Sequence, residues 1–450
     1  MGPWISNNRR VLWALATPTL LVLLQQQILL RQPPKIERLR LASASAGPAA
    51  VDVQFSRPMD LAKVAEASWL EPNLPHRWLG SGTQLQLNLD PGEKLRSPLL
   101  IGLGGEDRRQ QRLMVQRWYW DPRPRILAVV VVAGGEQLQV RQPNGHWQPI
   151  SPVWRDVPLL MPLGNGSAVV TASRNPDGLL QLWRIPLRQH NLQPWHPPGP
   201  PPLQALAPEP LARQPVVFAH LSSNRHGDLL VQSGDLAPES ARAILKAQQG
   251  GERELPWPTS GPMQLLPEGG AVLVPDSEGL HLEALPPHPP RRQSLPGSRD
   301  LSSFCPQAGR AVLLRHWPDF RRSLELVEPG LAPRQLWLGG DAVLASACSR
   351  GGDTVWALLL QSSRPPQLSL VSLNRQGQVL NRRRLDGWEL EPGSGLHWDP
   401  TTGQLLMALR RMGGAKAPAA PTRVVLVDTS TMALQVLRPS IRQALWLPPG

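Results

Sequence analysis

The feature that most constrains this chain is a strand-turn-strand unit that recurs from about Pro124 onward, and whose last copy, Ile441–Leu447, is a single strand with nothing after it. The units are short Val- and Leu-rich runs separated by Gly- and Pro-bearing turns, which is how strands and not helices are punctuated. The 52 Pro and 38 Gly residues, a fifth of the 450, lie between the runs and are not pooled in one tract, so they read as turns and not as low complexity. The first unit (Ile126–Ala133, Gln137–Arg141, Trp147–Ile150) lacks its first strand. Later units start near residues 158, 215, 261, 301, 341, 394 and 441, every 40–57 residues. Four short strands need about 40–50 residues, and the longer spacings contain the Pro-rich stretches Pro197–Pro202 and Ser362–Pro366. The orphan strand and the incomplete first unit complete one another if the array closes into a ring, with Ile441–Leu447 beside Ile126–Ala133. Closure also removes two exposed sheet edges.

A closed array of this kind is a β-propeller, here expected over residues 126–450 with seven blades (six to eight) closed by the C-terminal strand. Two stacked sandwiches are the rival arrangement. Trp398-Asp399-Pro400-Thr401-Thr402-Gly403-Gln404-Leu405 and Phe304-Cys305-Pro306-Gln307-Ala308-Gly309-Arg310 resemble the aromatic-x-Pro-Asp-Gly turns of bacterial WD40-like propeller repeats. The fold class expected is all-β.

Two further segments precede the ring. Arg9-Arg10 and the largely apolar Val11–Leu30 span define residues 1–34 as a signal-anchor or transmembrane segment; the nearest A-x-A patterns, Ala42-Ser43-Ala44 and Ala44-Ser45-Ala46, lie too far on for cleavage to be the first reading. Secretion after signal cleavage is the alternative. Residues 35–120 alternate as half-buried strands do (Val51, Val53, Phe55; Leu85, Leu87, Leu89), with turns at Gly47-Pro48, Gly80-Ser81-Gly82 and Asp90-Pro91-Gly92. Val53-Gln54-Phe55-Ser56-Arg57-Pro58-Met59-Asp60, with Val64 and Trp78, resembles the Ig-like domain of bacterial S-layer-type proteins, in which Asp107 has a counterpart. That resemblance implies an extracytoplasmic spacer or binding β-sandwich. Residues 121–125, around Asp121-Pro122-Arg123-Pro124, read as a stiff linker.

Chemistry is mostly absent from the pattern. No Walker loop, G-x-S-x-G, H-E-x-x-H or C-x-x-C motif occurs. Gly102-Leu103-Gly104-Gly105 follows a strand and reads as a hairpin turn. The ten His are isolated, with His196 and His288 beside Pro, and a loop-surface role is expected of them. Net charge is +13, carried almost wholly by Arg in scattered pairs and triples such as Arg321-Arg322, Arg382-Arg383-Arg384 and Arg410-Arg411. This reads as solvated surface, and nucleic acid is not an expected partner. The only cysteines, Cys305 and Cys348, fall at equivalent places in neighbouring units and are expected as two separate buried thiols. Most of the 17 Trp, among them Trp147, Trp183, Trp337, Trp356, Trp398 and Trp446, are expected to pack between blades.

These readings converge on a bacterial single-pass membrane protein with its soluble part outside the cytoplasm, binding or scaffolding a protein or glycan partner through its ring. It is not expected to be an enzyme, and no cofactor, metal or catalytic residue is expected; the binding residues have no sequence signal. The alternative is a propeller enzyme, glycoside hydrolase or peptidase-like. Carboxylates or a Ser/His pair converging in the channel would favour the enzyme, and an Arg-rich, apolar channel would favour binding.

Overall fold

The computed structural model describes residues 16, 18–22, 25–27, 31–42, 44, 47–237, 240–307, 309–412, 421–437 and 440–450. The span Val11–Leu30 lies largely outside them, and among the described residues no helix is long and apolar enough to cross a membrane. The chain divides into two compact units.

The first unit takes Met1–Glu93, Ser97–Pro122 and the later stretch Leu192–Pro200. It contains two four-stranded antiparallel sheets. One orders its strands Ile36–Ala42, Ala50–Phe55, Gln84–Leu89, His76–Ser81, and the other Leu192–Pro194, Gln116–Trp120, Leu99–Leu103, Trp69–Glu71. The period-two residues form the core: Val51, Val53, Phe55, Leu85, Leu87 and Leu89 are buried in the first sheet, and Leu99, Ile101, Leu103 and Trp120 in the second. The Phe55–Asp60 motif ends a strand and starts the helix Leu61–Ala67. Asp60 caps that helix, accepting the Ala62 and Lys63 amide hydrogens at 2.9 and 3.2 Å. Asp107 is buried and accepts the Arg109 and Gln111 amides at 2.8 and 2.9 Å, so its work is to hold a turn. Leu192–Pro194 lies within the long second spacing of the repeat, yet it pairs with Trp118–Trp120.

The second unit takes Lys94–Arg96, Arg123–Asn191 and Pro201–Gly450. Its strands form antiparallel sheets in chain order. The first comprises Trp147–Pro149, Gly135–Arg141, Arg125–Val132 and Ile441–Leu447. The second is built on Leu159–Pro162, Ala168–Arg174 and Leu180–Arg188, with two-residue outer strands. The third is Phe218–Ser223, Leu229–Gly234, Arg242–Lys246, Glu252–Glu254, and the fourth Gln264–Leu265, Ala271–Pro275, Gly279–Ala284, Arg292–Pro296. The fifth is Arg299–Phe304, Ala311–His316, Arg322–Val327, Arg334–Gly339, and the sixth Ala342–Cys348, Thr354–Gln361, Gln367–Asn374, Val379–Arg384. The seventh places His397–Asp399 and Trp388–Leu390 on Gln404–Arg411, followed by Arg423–Asp428 and Leu434–Val436.

The last strand closes the series as its sequence requires. Leu447 pairs with Arg125, Ala444 with Ala128 and Ile441 with Val130. Arg442 on this strand reaches Glu136 at 2.8 Å and Asp156 at 2.9 Å, and Gln189 donates to the Pro448 carbonyl at 2.9 Å. The apolar cores follow the same circle. One joins Leu127 and Val140 of the first sheet to Val169 and Ile185 of the second. Others join the second to the third, the third to the fourth, the fifth to the sixth and the sixth to the seventh. A further core joins Leu406 and Leu426 of the seventh sheet to Ile126 and Ala444 of the first. The first, second, third, sixth and seventh sheets thus each bury two faces against two different neighbours, so their middle strands read as continuous apolar runs such as Leu405–Leu409.

Candidate functional site

The innermost strands of the second unit succeed one another around a centre: Ile441–Leu447, Leu159–Pro162, Phe218–Ser223 and Gln264–Leu265 on one side, then Arg299–Phe304, Ala342–Cys348 and His397–Asp399 back to Ile441–Leu447. Five of them, Leu159–Pro162, Arg299–Phe304, Ala342–Cys348, His397–Asp399 and Ile441–Leu447, line a cavity of about 640 Å³. Its wall is mainly apolar, with Met161, Phe304, Leu344, Leu445 and Trp446 among the lining residues, and its polar groups are few. Three of the lining strands are bulged, Ile441–Leu447 between Ile441 and Gln443, and the other two bulges shape the lining. The register shifts between Leu301 and Ser303 and again between Val343 and Ala345, which frees Ser302 and Leu344 from pairing and re-aims their side chains. As a result Ser302 and Ser303 both reach the buried Ser346 hydroxyl, at 2.7 and 2.9 Å.

His397 also faces the cavity. Trp446 Nε1 donates to its carbonyl at 3.0 Å, and Gly395 lies so close that a Cβ there would fall 2.9 Å from the imidazole Nε2. The ring keeps a small accessible area toward the cavity, but protein surrounds it on the other sides. That burial disfavours the charged form and lowers its pKa from 6.5 to about 4. His397 is therefore neutral at pH 7. Asp300 sits exposed at the rim, 2.8 Å from His316 Nε2. Among the described residues the lining carries one carboxylate and no arginine. Serines and His397 share the wall, which is the residue combination set out for an enzyme, but Ser302 and Ser303 bond to Ser346 and not to the imidazole. The wall is apolar, as set out for binding, but without the arginines.

Arginines gather instead at the turns between first and second strands. Arg225, in the turn of the third sheet, pairs with Glu268 in the fourth and donates to the Pro306 carbonyl in the fifth. Burial first, and then the charge of Arg225, lowers the pKa of Arg350 in the equivalent turn of the sixth sheet. Elsewhere the paired arginines have local partners. Arg410 binds Glu389 at 2.7 Å, Arg411 lies over Trp388 at 4.0 Å, and Arg321 binds Asp319 at 2.7 Å.

Cys305 and Cys348 are joined in a disulfide, with Cα atoms 4.9 Å apart, which corrects the expectation of two separate thiols. That expectation aligned the two as equivalent residues. In the structure Phe304 is the last paired residue of its strand, opposite Ala311, whereas Cys348 is itself the last of its own, opposite Val355. The cysteines are one residue out of phase. With a side-chain period of two, one residue turns a side chain to the other face, so they meet between neighbouring sheets. Ser303 and Ser346, each two residues earlier, make the same crossing.

The tryptophans pack much as expected. Trp356 is buried and stacks on Trp398 at 5.6 Å, Trp183 stacks on Trp154 at 6.1 Å, and Trp147, Trp337 and Trp446 pack against the cores. Trp398 and Trp446 also line the cavity. The glycines of Gly102-Leu103-Gly104-Gly105 serve packing: a Cβ on Gly102 would fall 2.1 Å from the Trp69 ring, and one on Gly105 2.8 Å from Val64. Sequence reasoning missed the buried His281, which faces Asp276 and Ser294 in the fourth sheet. The available signal was its place in Gly279-Leu280-His281-Leu282, where a strand leaves no room for a loop histidine.

Strand order, the closing strand and the cores shared between successive sheets define the second unit as a β-propeller. No family model matches the chain, and no curated protein matches it. Among solved structures it is similar to the uncharacterized protein lmo1340 from Listeria monocytogenes EGD-e, at 11% identity and a TM-score of 0.45, over 71% of this chain and 93% of that one. It is also similar to the dihydro-heme d1 dehydrogenase NirN, at 13% identity and a TM-score of 0.42, over 73% and 76%. The C-terminal WD40 domain of Sif2 is similar at 17% identity and a TM-score of 0.41, over 72% and 84%.

Proposed function

We propose that the second unit is a seven-bladed propeller that binds or scaffolds a protein or glycan partner through its central cavity, without cofactor and without catalysis in the channel. The observation that carries this reading is the lining itself. A cavity of about 640 Å³ suits an inserted side chain or a sugar-sized group. Its hydroxyls are spent on one another, and among the described residues no second carboxylate joins Asp300. The first unit, with its two antiparallel sheets and the Phe55–Asp60 motif, supports an Ig-like spacer of the S-layer type. The disulfide between Cys305 and Cys348 and the apolar Val11–Leu30 span support a bacterial membrane protein with its soluble part outside the cytoplasm.

The test fills the cavity. Leu344 is the bulge residue, 39% exposed toward the lumen, so L344W occupies the channel without altering a blade core. The chain from Gln32 onward, which keeps the strand Ile36–Ala42 whole, is used to capture partners from bacterial membranes and to probe a glycan array, with L344W in parallel. Loss of a captured partner in L344W, with unchanged thermal stability, is the expected result. Equal capture by both proteins would remove the channel from the function.

A further inference from the structure

The fourth sheet carries a chain of polar groups away from the channel. Asp276 opens the turn between Ala271–Pro275 and Gly279–Ala284, and its Oδ1 accepts the Glu278 and Gly279 amides at 2.7 and 3.0 Å. Its Oδ2 is left to face His281 Nε2 and, at 3.3 Å, Arg292. His281 is only 4% exposed. Directly across the strand pair lies Ser294, whose Oγ is 2.8 Å from His281 Nδ1.

The tautomer follows from a third neighbour. Arg292 Nε lies 3.1 Å from the same Nδ1, and a guanidinium can only donate. Nδ1 is therefore the unprotonated nitrogen, and the ring proton is on Nε2, beside the Asp276 carboxylate. The Ser294 hydroxyl then donates to Nδ1. Asp276 meets Nε2 off the N–H axis, so it orients the imidazole mainly by its charge. The order carboxylate, imidazole, hydroxyl is that of an activated serine, with the two ring nitrogens exchanged relative to the usual arrangement.

The ladder supplies the remaining part. The Ala284 amide donates to the Arg291 carbonyl and the Gly297 amide to the Glu278 carbonyl, both at 3.0 Å. Those two hydrogen-bonded pairs fix the alternation, which makes His281 and Ser294 a non-hydrogen-bonded pair. Such pairs bring side chains closest, and they turn their own N–H and C=O groups away from the partner strand. Arg292–Pro296 is the outermost strand of its sheet, so the Ser294 N–H points off a free edge beside its own Oγ. The Arg292 guanidinium, held by Asp276 and at 3.4 Å by Glu283, lies on the same side. An amide and a cation next to a nucleophile are donors for a developing oxyanion.

We propose that Ser294 is an activated nucleophile that takes acyl groups from esters, with His281 as its base and Asp276 as the positioning residue. This goes beyond the binding reading and does not depend on the channel. Ser294 Oγ attacks the ester carbonyl carbon while its proton passes to the single Nδ1 lone pair of His281; Arg292 gives up its hydrogen bond to Nδ1 and turns to the carbonyl oxygen, which it meets together with the Ser294 N–H. The carbon to leaving-oxygen bond breaks, and the alkoxide takes the proton from Nδ1. Water repeats the cycle on the acyl-serine and releases the carboxylic acid.

The experiment treats the full chain with a fluorophosphonate and, separately, with p-nitrophenyl acetate, and locates the adduct by peptide mass spectrometry. Near-stoichiometric phosphonylation at Ser294 is expected. S294A abolishes it, H281Q slows it at least 100-fold and D276N at least 10-fold. The comparison of Ser294 with the channel serines within the wild-type chain does not require any variant to fold. Absence of a Ser294 adduct, or labelling no faster than at the channel serines, would overturn the proposal and leave the network as a brace for the hairpin.

Discussion

His397 shows how one residue can record its surroundings. Its folded pKa of about 4 lies below the 6.5 of an unfolded histidine, so between those values the unfolded chain binds more protons than the native one. The stability this residue contributes is complete above pH 6.5 and is lost as the pH falls toward 4, with a ceiling on the order of 3 kcal/mol. Urea denaturation at pH 7 and pH 4.5 should show the loss, and H397Q should reduce it; an identical drop in H397Q would assign the effect to other groups. This residue was not legible in the sequence, where His397 is one of ten scattered histidines. Its burial is created by Gly395 and by the strands Ala342–Cys348 and Ile441–Leu447, which only the ring brings to it.

At the level of strands, legibility followed burial. Middle strands, apolar on both faces, were the most legible: Val355–Leu360 is expected where Thr354–Gln361 is found, and Gln404–Ala408 where the strand runs on to Arg411. Outer strands could not. Val379–Arg384 is exposed along nearly its whole length, so its Arg triple looks like solvated loop, and Arg292–Pro296 has no apolar alternation. The disulfide was misread for a related reason: two bulges and a one-residue difference in strand ends decide which face a cysteine occupies, and no composition signal marks a bulge. Cys305 and Cys348 are 43 residues apart and tie the fifth sheet to the sixth. A closed loop of that length is worth up to about 4 kcal/mol in chain entropy. Guanidinium melts of the C305S/C348S double variant should fall by several tenths of that value or more. A midpoint unchanged from the oxidised wild type would mean that the bridge does not constrain the unfolded chain.

For the molecule as a whole, the ring depends on its final strand. Ile441–Leu447 covers the edge of Arg125–Val132 and contributes Ala444 and Leu447 to two different cores. Ending the chain after residue 440 should therefore expose an apolar edge strand and two half-cores, and size-exclusion chromatography should find aggregates. A synthetic peptide of residues 441–450 added in trans during refolding should restore the monomer; failure of the peptide to rescue would place the defect elsewhere. The first unit shows the same reliance on a late segment. Its sheet edge at Gln116–Trp120 is covered by Leu192–Pro194, made 74 residues after Trp120. At about 5–20 residues per second on the ribosome, that edge waits roughly 4–15 s for its partner. During vectorial synthesis it is an adhesive nascent surface, and a chaperone or translocation channel that shields it for those seconds would set the yield of folded protein.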